Sequence, residues 1–204
     1  MKKNVIEIQN AIRHSELGPE ELRSELDAMD WPEQREFVRT IAGKSQRLMW
    51  ELCNGKGTSL NDLIPDYVPP GVEVIHYGGS LLPALKWSQK RFCRPIERFQ
   101  ENSPVLYGYN EGTTRRLVGP GFFVAEYFPS REEAGINYYR IPPQRVQLPP
   151  GWPERRSNEW GLQRLVYSKT IDYLRQVATR ICIGRVYKQD HATNSYFVLF
   201  RDVA

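Results

Sequence analysis

From residue 72 onward the chain consists of short runs rich in Val, Ile, Tyr and Phe, separated by turn residues. Such runs are too short for helices and alternate as half-buried strands do, so they commit this part of the chain to a sheet. Residues 72–77 read as the first strand. The runs 104–109 and 114–118 flank Asn110-Glu111-Gly112-Thr113, a hairpin signal. Residues 121–128 continue as strand after Gly119-Pro120-Gly121, and residues 135–141 supply another. Val177, Thr179, Ile181 and Ile183 alternate, and residues 195–201 pair back after the turn at 191–194. Hairpin connections outnumber β-α-β units, which disfavours a Rossmann-type parallel sheet.

Helical periodicity marks other segments. Residues 19–29 begin with Pro19 and a run of acids, a helix start. From Pro32 to Cys53, the apolar Phe37, Val38, Ile41, Leu48, Met49 and Leu52 form one stripe, ended by Gly55. The two helices form a hairpin. Residues 58–63 suit one helical turn. Residues 80–94 contain no β-branched residue, and Lys86, Lys90 and Arg94 stack at four-residue spacing, so a basic helix capped by Ser80 is expected there. Residues 142–157 hold five prolines and read as a long irregular loop. Beyond it, Leu162, Leu165, Val166, Tyr173 and Leu174 give a helix over 159–175, capped by Ser157 or Asn158.

These elements predict an α+β fold: an N-terminal helical hairpin followed by a mostly antiparallel curved sheet, with one long helix packed against it. The natural division is a helical segment over 1–57 and an α+β sheet domain over 58–204, which could form one compact domain. No 20–50-residue repeat is visible.

Charge is unevenly placed. Residues 1–40 hold six Lys/Arg against nine Asp/Glu, giving −3; residues 140–188 hold ten against three, giving +7. The basic half could meet nucleic acid or another anion, although no helix-turn-helix, zinc-finger or RNP-like pattern accompanies it. The acidic helices could pair in a homodimer. Cys53, Cys93 and Cys182 have no C-x-x-C spacing, which argues against disulfides and thiolate zinc sites. The start has acids and no apolar h-region, and no window could span a membrane, so the expected location is cytoplasmic.

Reaction motifs fail on inspection. Gly43-Lys44-Ser45 lacks the preceding glycine of a P-loop. Glu73-x-x-His76 lies in a strand, where positions three apart point to opposite faces, and has no partner motif, so no metal site is expected. No serine sits in G-x-S-x-G, and cofactors are undefined. His76 is the best acid/base candidate because imidazole titrates near neutrality. The favoured function is binding of a small amphipathic, anionic ligand between sheet and helix. Tyr107, Tyr109, Phe123 and Tyr139 would line the site, and Arg140, Arg164 and Arg180 would neutralise charge. An enzyme using His76 in that cavity and a nucleic-acid-binding interaction protein are the alternatives.

Overall fold

The computed structural model describes residues 3–80, 87–96, 103–113 and 115–202. Its centre is a closed barrel of eight antiparallel strands, each paired with its neighbours in chain order. The strands are β1 (Glu73–Ser80), β2 (Trp87–Cys93), β3 (Val105–Glu111), β4 (Phe123–Phe128), β5 (Glu133–Asn137), β6 (Thr170–Ala178), β7 (Ile181–Lys188) and β8 (His191–Arg201). The first and last close the ring, with His76 opposite Arg201 and Ser80 opposite Phe197. Helices α1 (Val5–His14), α2 (Pro19–Asp27), α3 (Trp31–Thr40) and α4 (Lys44–Leu52) precede it. The short helices α5 (Leu60–Leu63), α6 (Arg115–Val118) and α7 (Gln163–Val166) lie between or before strands.

This architecture overturns the expected curved sheet with one long helix across it. The helix expected over 159–175 is only the four residues of α7, and β6 takes Thr170–Ala178. Lys169, at φ 57°, turns the chain between them. The misleading apolar spacing has a physical origin. Leu174 packs inside the barrel while Tyr173 and Val177 pack outside it, so burial on two faces erased the alternation. The basic helix expected over 80–94 is also absent where described. Ser80 ends β1 and residues 87–93 form β2; residues 81–86 lie outside the described residues. Residues 115–118 form α6, so β3 pairs with β4 instead of a strand at 114–118.

The N-terminal helices divide more finely than the stripe suggested. The expected helix over 32–53 breaks at Ile41, which is extended, and at Gly43, whose φ of 59° favours glycine. The additional α1 starts with a capping box, in which Asn4 and Glu7 satisfy each other's backbone N–H groups. Helices α1–α4 cover the outer face of β6–β8 and β1. Ile8, Ile12, Leu22, Leu26, Phe37 and Met49 share one apolar cluster with Ile181, Ile183, Val198 and Phe200.

The opposite outer face is covered by the proline-rich loop. Val146, Leu148 and Trp152 pack on Cys93, Tyr107 and Val124. Inside the barrel, Val74, Phe92, Leu106, Phe123, Ala125, Ile136, Leu174 and Leu199 form a third cluster. Leu63, Ile64 and Val68 join it from α5 and the segment after it, and Arg94 holds that segment by donating to the Ile64 and Val68 carbonyls.

One close approach fixes the helical layer on the barrel. A Cβ at Gly79 would overlap the carbonyl oxygen of Val38 near the end of α3. Gly79→Ala is therefore expected to destabilise the fold by about 1–3 kcal/mol, seen in urea unfolding as a lower midpoint at an unchanged slope.

Candidate functional site

One end of the barrel interior remains open as a cavity of about 380 Å3. Every strand except β4 and β5 contributes to its wall. Gly78, Ser88, Lys90, Asn110, Thr170, Asp172, Val186, Thr193, Ser195, Phe197 and Leu199 face it, and Leu165, Val166 and Tyr167 close over it from α7. Tyr138, just after β5, and Lys188 and Tyr196 complete the lining. Strand alternation explains the selection: Ser88 and Lys90 share one side of β2, as do Thr170 and Asp172 of β6.

The chemistry converges on Lys90. Its Nζ donates to Asn110 Oδ1 at 2.9 Å, to the Tyr138 hydroxyl at 2.5 Å and to Asp172 Oδ2 at 3.3 Å. The Phe197 ring centroid lies 4.9 Å from the same nitrogen, and the rings of Tyr138 and Phe123 at 5.2 and 5.7 Å. Sheet register makes this possible, because Lys90 sits directly opposite Asn110 in the β2–β3 ladder. Tyr138 is held there by stacking on Tyr167, with ring centroids 5.2 Å apart.

Second contacts fix the site's geometry. Asn110 Nδ2 donates to the Gly121 carbonyl at 2.9 Å, and its backbone N–H donates to the Pro120 carbonyl at 2.7 Å. Gly121 N–H donates to Gln163 Oε1 at 2.9 Å. Asn158, expected as a helix cap, instead donates to the Phe122 and Tyr138 carbonyls. The Gly-Pro-Gly segment thus joins the cavity wall to α7. Phe123 points inward beside Lys90, while Phe122 points outward against Tyr109 and Trp152.

Burial and pairing oppose each other at the charged pair. Desolvation lowers the Lys90 pKa, and Asp172 pulls it back up. Burial raises the Asp172 pKa, and Lys90 pulls it down. Burial likewise pushes the Tyr138 hydroxyl well above the ordinary phenol value, so it remains a neutral donor and acceptor.

The residues singled out from sequence are dispersed. His76 faces the interior opposite Lys90 in the β1–β2 register, but its ring packs on Phe92 at 4.8 Å. Its Nε2 is 2.9 Å from the Leu63 carbonyl, away from the cavity lining. Burial lowers its pKa to about 3, so it is neutral at physiological pH. Tyr107 and Tyr109 lie on the outer face under the proline-rich loop. Tyr139 is half exposed. Arg140 pairs with Glu126 at 2.5 Å, and Arg164 is exposed on α7. Arg180 sits in the β6–β7 turn, where its carbonyl accepts from Arg201 N–H. Of this set, Phe123 alone approaches the Lys90 cluster.

Lys90, Asn110, Tyr138 and Asp172 were not identified from sequence as one site. The spacing puts Lys90 on the basic face of a helix over 80–94 and Asp172 within a helix over 159–175, whereas they lie on β2 and β6. Among the described residues, no three His, Cys, Asp or Glu side chains are placed to hold a metal ion. The buried thiols carry raised pKa values, about 12 for Cys93 and Cys182, which suits inert core cysteines. Comparison with protein-family models, curated proteins and solved structures gives no match for this chain.

The pair and the histidine make separate stability predictions. Lys90→Met strands the Asp172 carboxylate and should cost about 3–5 kcal/mol, and adding Asp172→Leu should restore most of it. The single variant's deficit should shrink as pH falls, because the isolated carboxyl takes up a proton; chemical denaturation across a pH series measures both effects.

For His76, the unfolded state binds a proton near pH 6.5 and the folded state only near pH 3. Its contribution is therefore complete above pH 6.5 and is lost as pH falls toward 3, with a limiting slope of about 1.4 kcal/mol per pH unit. His76→Asn should flatten that part of the acid-denaturation curve, whatever its effect at neutral pH.

Proposed function

We propose that this chain binds a small amphipathic molecule in the open end of its barrel. The observation that carries this reading is the cavity of about 380 Å3 with apolar walls and one buried polar cluster. An eight-stranded barrel has an interior that side chains can fill or that can hold one small ligand. This cavity falls within the usual range for small-molecule sites, roughly 300–1,000 Å3. Val186, Phe197, Leu199 and the α7 residues offer apolar contact, and the Lys90 cluster orients the polar end.

The electrostatics favour an uncharged head. Lys90 and Asp172 already neutralise each other at 3.3 Å, so a charged head placed against them would add an uncompensated charge to a buried site; Lys188, the other charged residue of the lining, is exposed at the mouth. The arginines assigned to an anion, Arg140, Arg164 and Arg180, do not line the cavity. A hydroxyl or carbonyl head fits better: it can exchange hydrogen bonds with Tyr138, Asn110 or Lys90 without changing the charge balance.

Titration with an alcohol, a carboxylate and an amine of equal medium chain length tests this. The alcohol is expected to bind best and to raise stability by about 2.7 kcal/mol at a hundredfold excess over Kd. Tyr138→Phe should weaken it by about 0.5–1.5 kcal/mol, and Ser195→Trp should fill the cavity and abolish binding. Preference for the carboxylate would overturn the neutral-head assignment. Failure of all three, or binding unaffected by Ser195→Trp, would overturn the site itself.

A further inference from the structure

The cavity mouth is bordered by exposed apolar side chains. Trp160 is 82% exposed, Leu117 73% and Leu165 71%. Leu162 and Val166 are also exposed. They are adjacent in space: Leu117, Trp160 and Leu162 line one open groove, and Leu165 and Val166 lie on the cavity mouth. The Gln163 contact with Gly121 holds the two segments that carry them together. Isolated exposed leucines need no explanation, but a contiguous patch with a nearly fully exposed Trp marks an interaction surface.

The charge within these segments is of one sign. Residues 115–118 read Arg-Arg-Leu-Val and residues 160–166 read Trp-Gly-Leu-Gln-Arg-Leu-Val, with three arginines and no carboxylate. Arg115 is partly neutralised by Glu111 at 2.8 Å, whereas Arg116 and Arg164 are exposed. Arg156 and Glu154 both border the groove, 3.9 Å apart, and offset each other. Glu159, next to Trp160, accepts from the Ser168 hydroxyl at 2.7 Å. Trp and Leu for the apolar boundary with Arg for the headgroups is the combination that seats proteins on a bilayer surface.

We propose that the mouth of the barrel docks on an anionic phospholipid bilayer, with Trp160, Leu117, Leu162 and Leu165 entering the interfacial layer and Arg116 and Arg164 meeting lipid phosphates. This rests on the rim alone and does not depend on what the cavity holds. It differs from crossing a membrane: among the described residues no helix is long and apolar enough to do so.

Co-sedimentation of the full chain with phosphatidylcholine vesicles, with and without phosphatidylserine, tests the proposal. Binding should require phosphatidylserine and weaken as salt rises. Arg116→Ala with Arg164→Ala should weaken it about thirtyfold, taking each cation at roughly a fivefold factor. Lipids brominated near the headgroup should quench part of the Trp emission, and Trp160→Phe should remove that part. Leu117→Asp, at an exposed position outside the cavity wall, should also reduce binding. Equal binding to neutral vesicles, binding to neither, or quenching that survives Trp160→Phe would overturn the proposal. So would a concentration-dependent dimer abolished by Trp160→Ala, which would assign the patch to a second copy of the chain.

Discussion

The pairing of β1 with β8 is the constraint on which the other features depend. It turns a meander of hairpins into a ring with no exposed sheet edge and fixes how much room lies inside. Once closed, every strand has an inner and an outer face, and most outer faces need cover. Helices α1–α4 cover one side, and the proline-rich loop covers the opposite side with Val146, Leu148 and Trp152. The interior is then divided by side-chain size. Phe92, Phe123, Leu106 and the α5 residues fill one end, whereas Gly78, Ser88, Thr193 and Ser195 leave the other open.

Placing an ion pair in such an interior is costly. Both charges lose water, and the pair recovers that loss only when the remaining hydrogen-bonding capacity is used. Here it is used closely: Lys90 has three acceptors, and Asn110 is itself held by the Pro120 and Gly121 carbonyls. The cluster therefore fixes more than its own geometry. Through Asn110 it sets the path of the Gly-Pro-Gly segment, and through Gln163 that segment positions α7. A well-packed apolar substitute could fill the same space, but it would leave nothing to position the polar end of a ligand.

The antiparallel sheet was legible because β1, β4 and the end of β8 are short, Val/Ile/Phe-rich runs beside turn residues. Helix α2 was legible from Pro19 and its acidic first turn. Two strands were not, and a third, β7, was misplaced: the alternation expected through Val177 and Ile183 crosses the turn at Thr179-Arg180, and the turn expected at 191–194 falls inside β8. In β6, Tyr173, Leu174 and Val177 are all buried, so the inside-outside alternation that distinguishes a strand disappears and a helix-like spacing remains. In β2 and just after it, Lys90 and Arg94 fall at helical spacing by coincidence. The site was lost with them, since two of its four polar residues lie on those strands. A lysine in the middle of a sequence reads as solvated until its neighbours in space are known. His76 attracted attention for its chemistry, yet its burial against Phe92 makes it part of the packed end of the barrel.

Closure also limits how a molecule can reach Lys90. A gap between two strands would break several ladder hydrogen bonds at once, and the far end is filled by Leu63, Ile64 and Val68. The remaining route lies at the mouth, between α7 and the β7–β8 hairpin. α7 is held there by Gln163 to Gly121, by Lys188 Nζ to the Leu165 carbonyl at 3.2 Å, and at its C-terminal end by the stack of Tyr167 on Tyr138. Its Leu165 and Val166 contribute cavity wall on one side and solvent-exposed surface on the other. Segments with few buried contacts open at lower free-energy cost than the strands beneath them. The barrel thus confines access to the same end where its polar cluster and its exposed apolar rim are found, and that coincidence follows from the geometry of a ring filled from the opposite side.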